Sequence, residues 1–440
     1  MKNGFSEFLN KKIMPFANKL AANKALMAIR DGVGFAITLI IIGSVPLIIN
    51  SLPFDNWTQT LQGIKIPYFD NLSNLLNMMT NMTFGIMVIP TVFGIAYSFT
   101  KSHIHDELKS IGSGFVALGS YLTITPVITN KAGQTGVDLT YLGSKGLIVA
   151  IILGLISAKI FSMFIEHNVE IKMPESVPPA ISKTFSALLP GFVIIFMWIL
   201  IAIIIGMFGF NNIHEVILKL LNKPLSFLGG TLAGTLIAVG LNSLVWSIGV
   251  HGTVINSAMN PIWLMNSDAN RLALQHGKEV PNIVTNSFMD NFTYMGGSGA
   301  TACLILALFI LVLMKKASAE SKAITSVGTA PAIFNINEPV MFGYPVVFNV
   351  AIIIPFILVP MVFATTTYLS MKWGLVAKPT GTVLNWTMPP IISGYLATNS
   401  ISGAVIQVIN LVIGTLIYLP FVASINNKQV LTEKLDEEKA

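Results

Sequence analysis

The sequence predicts an all-α polytopic membrane protein, with about ten transmembrane helices, re-entrant hairpins in the C-terminal half and amphipathic interfacial helices. Three observations carry this reading. Of 440 residues, 53% are hydrophobic and only 10% are charged, and the mean hydropathy is +0.72, which excludes an ordinary soluble chain. The lysines and arginines behind the formal charge of +6 stand in short clusters between apolar runs, the pattern of cytoplasmic loops and not of a nucleic-acid surface. The second half breaks its apolar runs with glycine, proline and asparagine, which at membrane depth is tolerated only around a cavity. The lone cysteine, Cys303, leaves no disulfide framework and no dithiol redox role. The basic start without a small-residue cleavage site is not read as a signal peptide.

Taken in order, residues 1–30 set Phe5, Phe8, Leu9, Ile13, Met14, Phe16 and Leu20 against Lys11, Lys12 and Lys19, an interfacial helix on the cytoplasmic face. The first five spans are expected at 32–52, 78–99 (kinked at Pro90), 111–129, 147–165 and 187–210. The turn 101–109 carries His103 and His105, which lack further ligands for a metal and are read as a solvated turn. Residues 130–144 are a polar outside loop, and 166–183 a charged cytoplasmic one ending at Lys183, which fits either a positive-inside anchor or a cavity mouth. Residues 211–227 place Ile213, Val216, Ile217, Leu220 and Leu221 at helical spacing opposite His214, Glu215 and Lys219, a surface helix joining two halves. Further spans are expected at 229–250, 298–314, 346–371 and 401–423, with a charged, fraying tail from 426.

Charge parity adds one crossing. A lysine-rich, cytoplasmic N-terminus and six spans return the chain to the inside near residue 251. Were 298–314 the next span, Lys315 and Lys316 would lie outside, against the positive-inside rule. Residues 251–297 must therefore hide one net outward crossing, broken or re-entrant. Ten crossings then keep both termini cytoplasmic. Discontinuous segments of this kind are where transporters hold their substrates.

Three ionisable residues are isolated in the broken half: His251 between Lys223 and Asp268, Asp290 between Glu279 and Lys315, and Glu338 between Lys322 and Lys372. Such residues inside a membrane are functional candidates by default. Glu338 lies in Pro331–Pro345, where three prolines and Gly343 forbid one regular helix and Asn335 and Asn337 add amides. A carboxylate with amides suits the hydroxyls of a sugar. His251 is flanked by Gly249 and Gly252, which permit close backbone approach. Asp290 fits an outer loop as well as a site. Sugars also stack on indoles, and Trp246 is the favoured candidate, Trp386 the second. Trp263 reads best as an interfacial anchor. No Gly-x-x-x-x-Gly-Lys-Ser/Thr loop is present, so nucleotide-driven chemistry is not expected, and no cofactor or metal is implied.

Trp246-Ser-Ile-Gly-Val-His251-Gly252, Asn335-Ile-Asn337-Glu338-Pro339 with Pro345 beyond it, and Ala28-Ile-Arg30-Asp31-Gly32 before the first span resemble enzyme IIC of the lactose/cellobiose family of the bacterial phosphoenolpyruvate-dependent sugar phosphotransferase system. The resemblance covers essentially the whole chain and is nearest to cellobiose- and chitobiose-type members. It implies a permease in the bacterial plasma membrane and a homodimer. The expected division is a scaffold with its amphipathic start at 1–210, a linker helix at 211–229, a sugar-binding transport domain at 230–425 that slides as a body, and a cytoplasmic tail at 426–440. It also implies phosphorylation of the sugar 6-hydroxyl by a phosphocysteine on a separate IIB subunit, with IIA, HPr and enzyme I upstream. His251 and Glu338 match the family's sugar-binding, phosphorylation-linked positions. Cys303, in an apolar run, has no match to the phosphocysteine. The alternative reading is a secondary sugar transporter coupled to a proton on Glu338 or His251.

Overall fold

The computed structural model describes residues 15, 19, 22–50, 52, 54, 56–129, 133–171, 173–174, 177–178, 185–247, 253–344, 346 and 349–437. The expected amphipathic helix at 1–30 therefore lies mostly outside the described residues, as do Lys183 and His251. Six helices among the described residues are long and apolar enough to cross a membrane, and Leu232–Ser247 and Ala302–Leu313 are shorter apolar helices.

The first half is built from α1 (Lys24–Asn50), the short α2 (Trp57–Gly63), α3 (Leu72–Asn81), α4 (Val88–Ile104), α5 (Glu107–Ile124), α6 (Leu147–Glu166) and α7 (Leu188–Met207). The second expected span is not one helix kinked at Pro90. It breaks between α3 and α4 at a 3-10 turn, Phe84–Ile86, and Pro90 falls in the first turn of α4, where its missing N–H costs nothing. The outside loop is not wholly irregular: β1 (Val127–Thr129) pairs antiparallel with β2 (Thr135–Val137), a two-stranded ribbon within an otherwise helical chain. Glycines set the closest helix approach. A Cβ on Gly32 would strike Ile95, and one on Gly94 would strike Phe35, so α1 and α4 touch through their backbones. Around them Val33, Ile40, Val88, Val92, Leu153 and Phe161 form the first core.

The amphipathic α8 (Ile213–Gly230) follows Asn212, whose side chain caps it by accepting from the Glu215 N–H. Glu215 and Lys219 pair on its outer face at 2.7 Å, as the pattern predicts. His214 does not join them. It is fully buried, stacked on Tyr141 at 4.5 Å and edge-on to Tyr121 at 5.4 Å. The sequence missed this because the covering rings come from a loop 70 residues away. Burial pushes the imidazole down to about 4, against a smaller upward pull from Asp138. The folded state thus binds its proton more weakly than the unfolded chain, and stability is full above the ordinary value of 6.5 and declines as pH falls toward 4. The loss should reach about 3 kcal/mol. Melting of the detergent-purified protein from pH 7.5 to 4.5 should show that decline flattened in His214→Phe, which keeps the stack. An unchanged slope would disprove the assignment.

The second half comprises α9 (Leu232–Ser247), α10 (Thr253–Gln275), a π-helix at Phe288–Thr293, α11 (Ala302–Leu313), α12 (Ala319–Ile333), the one-turn-and-a-half α13 (Glu338–Gly343), α14 (Val350–Lys372), α15 (Ile392–Thr398) and α16 (Ile401–Glu437). The crossing expected to be broken is partly a regular helix. α10 runs 23 residues, about 35 Å, which is enough to span. Its hydropathy is low because Asn266, Ser267, Asp268, Asn270 and Arg271 turn into the protein. Asp268 and Arg271 form a buried ion pair at 2.7 Å. Asp268 also accepts from Ser144 N–H, and Arg271 donates to Asn81 at 2.7 Å and to Gln275 at 2.9 Å, with Phe84 under its guanidinium. A second core gathers Cys303, Leu304, Val340, Met341, Phe356, Phe363, Tyr418 and Val422, and a third Trp263, Phe288, Phe292 and Met371. The charged end of the chain does not fray at 426. It extends α16, where Asn426 bonds Ser318 and Lys316, and Gln429 bonds Ser318 and Glu320.

Candidate functional site

A cavity of about 580 Å³ opens between α1 and the second half. Five residues singled out in the sequence share its wall: Trp246, Asp290, Asn335, Asn337 and Trp386. One side is apolar, made by Val33, Ile37 and Ile41 of α1 below Arg30. The rest is amide, hydroxyl and indole. A volume of this size with an apolar face and a few convergent polar groups suits a small polar organic ligand.

The broken stretch before α13 is what assembles this wall. Asn335 takes φ 61°, a left-handed conformation that asparagine tolerates. Its Oδ1 accepts from the Gly296 N–H at 2.6 Å, and its Nδ2 donates to the carbonyls of Trp386 at 2.6 Å and Met388 at 3.0 Å. Asn337 donates to the Ser298 carbonyl at 3.0 Å, and Ser298 Oγ accepts from Asn242 at 3.2 Å. One three-residue segment thereby ties two non-helical loops, 294–300 and 383–388, to the end of α12. Glycine is obligatory in the first loop: Gly296, Gly297 and Gly299 all have positive φ, and a Cβ on Gly297 would collide with Asn337 and with the Asn335 carbonyl. Trp246, at the end of α9, is almost wholly buried, whereas Trp386 is 52% exposed, with an indole face open. Asp290 stands in the π-helix, whose extra residue per turn is frequent at functional positions.

Glu338 starts α13, directly behind Asn337 and with Pro339 in the first turn, but its side chain lies outside the described residues, and His251 lies outside them altogether. The structure also adds wall residues that the sequence reading passed over. α10 presents Asn256, Asn260, Trp263 and Leu264, at helical spacing, and Asn286 and Tyr294 flank Asp290 at four-residue intervals. Trp263 is therefore not an interfacial anchor: it is 1% exposed and faces the cavity. The signal for α10 was present as the i, i+4, i+7 placement of Asn256, Asn260 and Trp263, masked by the low hydropathy of the segment.

A closed polar cavity walled by amides and indoles, inside a body of apolar helices, defines a membrane permease for a small hydroxylated solute. Residues 30–360 match the family described as phosphotransferase system, EIIC. The chain is 40% identical over 447 residues to the lichenan permease IIC component of Bacillus subtilis (strain 168), covering 99% of this chain and 96% of that protein. It is 38% identical over 446 residues to the cellobiose-specific EIIC component of Geobacillus stearothermophilus, covering 98% and 96%. Its structure is similar to that of the transporter ChbC, the IIC component of the N,N'-diacetylchitobiose-specific phosphotransferase system, with a TM-score of 0.89, 39% identity, and coverage of 97% of this chain and 99% of that one. The chain belongs to the enzyme IIC family of the sugar phosphotransferase system.

Proposed function

We propose that this protein binds and translocates a β-linked disaccharide of the cellobiose or chitobiose type and presents its 6-hydroxyl to a phosphorylated IIB subunit. The observation that carries the reading is the single cavity lined by Trp246, Trp386, Asn335, Asn337 and Asp290. It is supported by relatives named for lichenan, cellobiose and diacetylchitobiose. In this reading indole faces take the apolar C–H faces of the rings, and amides and carboxylates take the hydroxyls. Glu338 accepts the 6-hydroxyl and assists loss of its proton, while the phosphorus–sulfur bond on the IIB subunit breaks and the phosphorus–oxygen bond forms. His251 binds the same hydroxyl or stabilises the transferring charge. Positioning and charge stabilisation account for most of phosphoryl transfer, so little covalent chemistry is asked of this chain. The first half through residue 210 serves as the scaffold of a homodimer, residues 211–229 join it to the second half, and residues 230–425 carry the sugar across by sliding. Both termini face the cytoplasm, where IIB is charged through IIA, HPr and enzyme I.

The test uses Cys303→Ser protein, so that no thiol of this chain can carry the phosphoryl group. Cys303 is fully buried in α11, its Sγ donating to the Leu411 carbonyl at 3.5 Å, and is out of reach of a docking protein. Purified in detergent, this variant should bind cellobiose or diacetylchitobiose without ATP or a gradient, and sugar phosphate should form only when phosphorylated IIB is added. A trapped phosphocysteine at position 303 in the parent protein would overturn the separate-IIB reading. Uptake that persists in cells lacking every phosphotransferase component, and is abolished by a protonophore, would replace the proposal by proton-coupled transport.

A further inference from the structure

Three polar atoms on the α10 side of the cavity are buried with no protein partner: Asn256 Oδ1, Asn286 Oδ1 and Trp263 Nε1. Buried polar groups are nearly always paired, and each exception calls for an explanation. Here the three belong to one wall, and all three residues line the cavity. They are held in place from behind. Asn286 Nδ2 donates to Asn260 Oδ1 at 2.9 Å, and the Asn286 backbone N–H donates to Ser267 Oγ at 3.1 Å. These bonds leave the Asn286 carbonyl oxygen as the unpaired end of its amide. Trp263, 1% exposed, sits in the third core against Phe288 and Phe292, so its indole cannot swing out to find water. By contrast, the amide of Asn335 on the opposite wall is saturated by loop backbone.

We propose that Asn256, Asn286 and Trp263 form a second sugar subsite, which grips the ring remote from Asn335, Trp386 and Glu338. Two acceptors and one donor on one rigid wall match the alternating donors and acceptors of an uncharged ring bearing several hydroxyls. They match neither a charged group, for which Asp290 is the only counter-ion among the described residues of this wall, nor an alkyl group. This subsite sets the preference for a disaccharide over a single sugar, and it rests on the cavity being the sugar site.

Asn256→Leu, Asn286→Leu and Trp263→Phe test it, with titration calorimetry of cellobiose and of glucose on the purified protein. Each variant should bind cellobiose about 10-fold more weakly, as expected for one hydrogen bond lost to a sugar, with glucose binding unchanged. The sugar-free proteins should melt at the parent temperature or above it, because an apolar group of similar shape replaces a buried group that had no partner. A structural role for these side chains gives the reverse, lower melting temperatures with retained affinity, and overturns the inference. Trp263→Phe removes only the N–H and one ring, so it remains informative if a leucine variant does not fold. Parent protein that binds cellobiose while all three variants bind it equally well overturns the subsite alone. Parent protein that binds no β-linked disaccharide overturns the sugar site and the subsite together.

Discussion

Glu338→Gln should remain folded and inserted yet phosphorylate its sugar on the order of 10²-fold or more slowly. Glutamine keeps the size and one carbonyl acceptor but loses the charge. A charge-assisted hydrogen bond is roughly twice as strong as a neutral one, so sugar affinity should weaken by about 1–3 kcal/mol, and the lost proton acceptor accounts for the rest. The backbone should be indifferent to the change: α13 is started by Asn337 and Pro339, and the loops around the cavity are tied by Asn335 and Asn337. His251→Ala should slow the same step, and the double variant should cost less than the sum if both groups act on one hydroxyl. Sugar binding and IIB-dependent phosphorylation of each purified variant decide the matter. Near-normal phosphorylation by Glu338→Gln removes the carboxylate from the mechanism.

The second large effect is on stability. Arg271→Met should destabilise the protein by about 3–5 kcal/mol, because it leaves Asp268 as an uncompensated buried charge. The setting is unforgiving. Both side chains of the pair are about 98% buried, and Gly381 packs so closely that a Cβ there would meet the Arg271 backbone. Asp268→Asn combined with Arg271→Met removes both charges and should recover most of the loss, as replacing a whole buried pair by neutral groups usually does. Thermal melting of the two variants against the parent gives the comparison. A double variant no better than Arg271→Met would mean that the bonds to Asn81 and Gln275 matter more than charge balance.

What the sequence made legible follows from the kind of signal each feature leaves. Composition and apolar runs reveal helices that face lipid, as in α6 and α7, and isolated charge reveals Asp290 and Glu338 because nothing nearby competes. Broken backbone at Asn335–Glu338 is visible through its prolines. Pairing across distance leaves no local trace. Asp268 and Arg271 looked like ordinary loop charges, yet they lie inside α10, matched by Ser144 and Asn81 from 124 and 190 residues away. The same holds for His214, hidden by Tyr141, and for Asn256 and Asn260, whose amides lowered the hydropathy of a true helix. The tail was read as fraying because it is charged. Its order comes from Asn426 and Gln429, which find Ser318 more than a hundred residues earlier.

That last helix has a mechanical consequence. α16 is 37 residues long, about 55 Å, some 25 Å more than a hydrocarbon layer requires. Its inner turns are packed into the core that holds Cys303 and Met341, through Tyr418 and Val422, and its outer turns are bolted to the start of α12. It is therefore a stiff rod with one end in the body that carries the cavity wall and the other in water. Any rigid displacement of that body is reproduced at Lys434 without amplification or loss, so a spin label or fluorophore placed there reads the position of the sugar chamber from outside the bilayer, with nothing inserted into the chamber itself.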